Sequence, residues 1–154
     1  MNIFYLHKHP EIAAQMHVDK HCVKMILETC QLLSTAHRVL DGEQVIGKTK
    51  LGRNVKRWVF NDERDFWYYQ ATHINHPSAV WCRQNNSNYM WLHQLLLELC
   101  REYTYRYGKV HKCQESGLVD ALRFIPKNIP IGDFTEPTPA MPDQYKVPGN
   151  SVQS

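Results

Sequence analysis

Two stretches of apolar residues at helical spacing bound what this chain can fold into. From Ile12 onward, Ala13, Met16, Val23, Met25, Ile26, Leu27, Cys30, Leu33, Ala36 and Leu40 recur at intervals of mostly three and four, a helical period spread widely enough to bury more than one side. Pro10 and Glu11 suit a first helical turn, where a missing N–H costs nothing and the helix dipole favours an acid. The spacing predicts one long helix to about Leu40, closed by Asp41-Gly42. Trp81, Asn85, Asn88, Tyr89, Leu92, Leu95, Leu96, Leu99, Tyr103 and Tyr107 mark the inner face of a second long helix. Asn75-His76-Pro77-Ser78 starts it, Gly108 suits its left-handed end, and the polar run Asn85-Asn86-Ser87-Asn88 is its weak point.

Between the two lies a segment of another kind. Residues 43–57 hold two glycines and five basic residues without a helical stripe, which predicts a basic loop. Short helices are expected after Asn61-Asp62 and around Ser116–Arg123. From Pro126 onward prolines and turn residues dominate, so residues 126–154 are expected to form an irregular tail. No β pattern competes with the helices. The expected fold is therefore all-α: one domain over residues 1–154, with a core over 1–125. Its 154 residues, 43% apolar and 21% charged, suit one compact domain and exclude a disordered polymer. No apolar run approaches the roughly 18 residues of a membrane span, and the first residues lack the pattern of a secretory signal. A cytoplasmic protein with no membrane partner is expected. Five cysteines without a C-x-x-C pair predict buried, reduced thiols.

Charge is more telling in its distribution than in its total of +3. Residues 1–60 carry nine basic and five acidic groups, residues 114–154 three and five. Lys48, Lys50, Arg53, Lys56 and Arg57 follow one another without an intervening acid, a surface suited to phosphates; solvated loop charge is the plainer alternative. On the first helix His17, His21, Lys24 and Glu28 share one stripe, with Asp19 and Lys20 beside it. Such a strip is a catalytic candidate if partly buried and a solvated face if not. His17 and His21 at i,i+4 also permit a metal, but H-x-x-x-H without a glutamate is a weak signal, and no metal or other cofactor is expected. Asn75-His76-Pro77 can hold an anion at a helix start, though a simple cap is the commoner use. Trp58, Trp67, Tyr68, Tyr69, Trp81 and Trp91 read as core, whereas Tyr145 in the tail is the better candidate for a base contact. No G-x-S-x-G, phosphate-cradling or dinucleotide motif is present.

Three motifs in order carry a resemblance: Asp19-Lys20-His21-x-x-Lys24-x-x-x-Glu28, then Asn75-His76-Pro77-x-x-x-Trp81, then Leu99-Cys100-Arg101-Glu102-Tyr103-x-x-Arg106-Tyr107-Gly108-Lys109. Over roughly residues 1–112 the chain resembles the pyrimidine-dimer DNA glycosylases, the endonuclease V-like proteins of phages and bacteria. The resemblance implies a helical DNA-repair enzyme of a bacterial or phage-infected cell. It would release a damaged pyrimidine with an N-terminal amine as nucleophile and then cleave the strand by β-elimination. The family's Arg-Glu-Leu-Pro-Arg segment aligns with Lys20-His21-Cys22-Val23-Lys24, so His21 stands where the family has its glutamate. In this reading Met1, Lys20 or Lys24 supplies the amine, Asp19 or Glu28 the carboxylate, and His21 and His76 move protons or bind phosphate. Arg38, the basic loop, Asn75 and Tyr145 contact DNA, and the enzyme works as a monomer. The alternatives are an enzyme acting on free nucleotides and a binding module that breaks no bond.

Overall fold

The computed structural model describes Ala14 and residues 19–136, the side chains of Asp19, Lys20 and His21 excepted. In chain order the elements are α1 (Asp19–Asp41), β1 (Glu43–Lys48), β2 (Asn54–Val59), α2 (Arg64–Trp67), α3 (Pro77–Cys82), α4 (Asn86–Tyr107), α5 (Lys112–Glu115) and α6 (Leu118–Ala121). The two long helices run antiparallel. His37 near the end of α1 bonds Tyr89 near the start of α4, and Cys22 near the start of α1 points its thiol at the Leu99 carbonyl. Met25, Ile26, Leu33 and Ala36 pack with Tyr89, Leu92, Leu96 and Leu99 in one buried cluster. Every residue from Leu32 to Arg38 is buried, so the second half of α1 is enclosed on all sides, as its broad apolar spread requires.

Two expectations change. The basic segment is not a loop but an antiparallel hairpin, with Glu43 opposite Val59 and Lys48 opposite Asn54, so the fold is mixed α and β rather than all-α. β-branched and aromatic residues (Val45, Ile46, Val55, Trp58, Val59) supply the strand tendency. The two glycines have local tasks: a side chain at Gly47 would meet Arg57 Cγ at 2.9 Å, and Gly52 turns the tip at φ 81°. The second long helix is also divided. The Asn85 side chain accepts from the Asn88 N–H at 2.8 Å and starts α4 afresh after α3 has ended.

That asparagine run then holds the first part of the proline-rich segment. Asn86 N donates to Pro130 O, Ser87 Oγ to Gly132 O, Asn85 Nδ2 to Asp133 O, and Thr135 N to Asn88 Oδ1. Asp41 fixes the other end by accepting from Lys127 N and Asn128 N. Residues 126–136 are irregular because their backbone bonds go mostly to side chains rather than to a ladder.

His37 makes folding pH-dependent. Tyr89 donates its single hydroxyl proton to Leu122 O at 2.5 Å, so His37 donates from Nε2 to Tyr89 at 2.8 Å and is neutral. Burial pushes its pKa from 6.5 down to about 4. Between those values the unfolded chain takes up a proton that the folded chain refuses. Stability is therefore full above pH 6.5 and falls by about 3 kcal/mol as pH drops to 4. Urea midpoints at pH 7, 5.5 and 4 should show this decline, and His37→Gln should flatten it.

Candidate nucleic-acid interface

The hairpin gathers five cations at one exposed projection. Strand alternation puts Lys48 and Lys56 on one face with Ile46, and Arg57 on the other with Val45, while Lys50 and Arg53 stand at the tip. The tip is closed by Thr49 N to Arg53 O and Gly52 N to Thr49 O, both 2.9 Å, with Thr49 Oγ1 accepting from Arg53 N. Lys48 Nζ donates to Asn54 Oδ1 at 2.6 Å across the ladder's end. Ile46 and Leu51 are 65% and 85% exposed, so the ribbon stands off the core instead of lying on it. An isolated hairpin is marginal in water; this one is fixed at its base, where Trp58 and Phe60 are buried.

Arg38 is part of that base and not of the exposed cationic surface. Its guanidinium is fully buried and all five donors are used: Nε to Tyr69 O (2.6 Å), Nη1 to Trp58 O (2.6 Å) and Asp65 Oδ1 (2.8 Å), Nη2 to Asp65 O and Tyr68 O (both 2.9 Å). It has no donor left for a phosphate. In return it holds the Asp65 carboxyl below the usual carboxylate range, helped by the Phe60 N–H. Sequence position alone gave Arg38 to DNA; its place among Leu33, Ala36 and Leu40 is the sign of a buried arginine.

The first-helix strip is only partly described. Asp19, Lys20 and His21 lie in the first turn of α1, and their side chains are outside the described residues, as are Met1, His17 and Tyr145 altogether. Lys24 is exposed and sits 4.0 Å from Glu28 one turn on, a surface ion pair. His76 caps α3: its Nδ1 accepts from Ser78 N at 3.1 Å, with Pro77 at the first helical position. Partial burial lowers its pKa. Asn75 is exposed beside it. Among the described residues no hydrogen bond or ion pair joins His76 to Lys24 or Glu28, and no cluster of three metal-ligating side chains occurs. No helix among them is long and apolar enough to cross a membrane.

Sequence reasoning missed two groupings. The five cysteines are free and buried as expected, but Cys113 also meets the Tyr69 hydroxyl at 3.6 Å. Interaction with Cys30, Tyr69 and His111 holds the Cys113 thiol below its ordinary value, while Cys113 and burial push Cys30 up. The other grouping is aromatic. Trp58, Tyr68 and Trp81 are core, but Trp67 is 61% exposed on α2, a single turn that buries none of its residues.

Comparison of the chain with family models, with curated proteins and with solved structures gives no match in any of the three.

Proposed function

We propose that this chain binds duplex DNA through its basic hairpin and acts there on a damaged or modified pyrimidine, as an N-glycosylase with an AP-lyase step. The observation that carries the reading is the hairpin itself: five cationic side chains around an exposed two-stranded ribbon, a shape that the major groove admits. The chemistry follows the resemblance. An amine attacks C1′ of the sugar and the base leaves with the C1′–N electron pair, taking up the proton that the amine loses. The C1′–O4′ bond then breaks to give a ring-opened iminium, the carboxylate takes the C2′ proton that the iminium acidifies, the 3′ phosphate departs, and water frees the amine. Lys24 and Glu28 place an amine and a carboxylate 4.0 Å apart on the first helix, beside the helix positions of Lys20 and Asp19. The reading takes the protein as a monomer and needs no cofactor, since the iminium is itself the electron sink.

Borohydride reduction in the presence of irradiated, abasic and undamaged duplexes tests it. A covalent protein–DNA adduct is expected with the first two and not with the third, together with salt-sensitive binding to all three. Binding with neither adduct nor base release would remove the enzymatic part and leave a binding module. Release of base without an adduct would assign the attack to water.

A further inference from the structure

An open cleft of about 500 Å³ lies between α2 and α6, within the roughly 300–1,000 Å³ of small-molecule sites. Arg64, Trp67, Tyr68, Asp120, Arg123 and Phe124 line it. Tyr68 is the floor: its ring is buried edge-on against His37 and Phe60, and its hydroxyl donates to Ala121 O at 3.4 Å, which ties the two helices together across the base. The walls are aromatic and open, with Trp67 61% and Phe124 63% exposed. Cations accompany them. The Arg123 guanidinium lies over the Phe124 ring at 4.9 Å, and Arg64 lies over Phe60 at 4.2 Å. Arg64 gives Nε and Nη2 to Asp62, leaving Nη1, and Arg123 makes no ion pair among the described residues.

Exposed rings beside one guanidinium without an ion pair, Arg123, and one that keeps Nη1 spare beyond its pair with Asp62, Arg64, match one ligand chemistry closely: a planar base that stacks and a phosphate that takes charge-assisted hydrogen bonds. An aliphatic occupant would offer no acceptor to Arg123 or to the spare Nη1 of Arg64. Asp120 on the rim is an acceptor for base N–H groups. The cleft also adjoins the hairpin, because Arg64 lines both it and a smaller recess at the hairpin base formed with Glu43, Val59 and Phe60. We infer that this cleft seats an unpaired nucleotide of the bound nucleic acid, its base against Trp67 and Phe124 and its phosphate on Arg123 and Arg64. The inference rests on the nucleic-acid reading above, and it makes the protein a binder of unpaired as well as paired strand.

The test compares a labelled single-stranded oligodeoxyadenylate with a labelled duplex by fluorescence anisotropy at fixed salt. Trp67→Ala and Arg123→Ala are each expected to weaken single-strand binding by about tenfold while duplex affinity stays within about twofold, and Trp67→Phe should retain most of the binding. Both side chains face solvent, so circular dichroism should be unchanged in the variants. Single-strand affinity that does not respond to Trp67→Ala would overturn the inference and leave the hairpin reading standing. Sedimentation showing that the wild type self-associates through this face, with the association lost in Trp67→Ala and nucleotide binding unaffected, would overturn it in favour of a second copy. If the wild type binds single strands through Trp67 yet ignores duplexes, the cleft stands and the hairpin reading falls.

Discussion

Replacing Arg38 with alanine is expected to lower stability by about 3–5 kcal/mol, because it breaks a buried ion pair and leaves its partners without a donor. The size follows from the number of groups that one side chain satisfies. Trp58 O at the hairpin base, Asp65 O within α2, Tyr68 O and Tyr69 O after it, and the Asp65 carboxylate all accept from it. Asp65 keeps 31% of its side-chain surface exposed and can be rehydrated, which limits its share of the loss; the carbonyls of Trp58 and Tyr68 are buried with no such remedy. Arg38→Lys should recover less than half of the loss, since an ammonium cannot reproduce a five-donor fork. Asp65→Asn retains an acceptor at Oδ1 but leaves the fully buried guanidinium without its counter-charge, and should cost about 3 kcal/mol. Urea unfolding followed by tryptophan fluorescence measures all three. An Arg38→Ala loss below about 1 kcal/mol would mean that the hairpin and α2 hold their positions without it.

The parts of this fold that were legible in the sequence are those where one periodicity dominates. Leu92, Leu95, Leu96 and Leu99 could be assigned to the inner face of a helix because they lie three and four apart and all are buried, and Gly108 ends that helix in the left-handed region at φ 68°. The asparagine run was visible as a weakness. That it is both a cap and a dock for residues 130–135 was not, because the docking partners lie more than 40 residues away. The hairpin was hidden for another reason. Strands are read from alternation between a buried and an exposed face, and here nearly every position of β1 and β2 is exposed or half-buried. Two polar faces leave no period of two to find. What remained was β-branched residues on either side of a five-residue turn containing Gly52, a signal that competes poorly with two glycines and five cations read as loop. Trp67 shows the same limit at the site: aromatic identity predicts burial, yet α2 buries none of its four residues.

The same exposure makes the hairpin the place where charge should matter most. Replacing Lys48, Lys50, Arg53, Lys56 and Arg57 with glutamine is expected to flatten the salt dependence of duplex binding. Five phosphate contacts correspond to a slope of about −4.5 in log K against log salt, so between 50 and 200 mM the wild type should lose about 500-fold more affinity than the variant. The distribution of those charges separates two ways of binding. If the ribbon lay flat on the backbone, one face would carry the contacts, and either the Lys48/Lys56 pair or Arg57 could be removed without effect. If the ribbon enters the major groove, both faces meet a phosphate chain and the tip approaches the base edges. Slopes measured for Lys48→Gln/Lys56→Gln and for Arg57→Gln should then both fall, by about 2 and about 1. Strand register places these side chains on opposite faces, so the two variants report on the two faces separately. A fall confined to one of the two variants would show that the hairpin lies across DNA rather than within its groove.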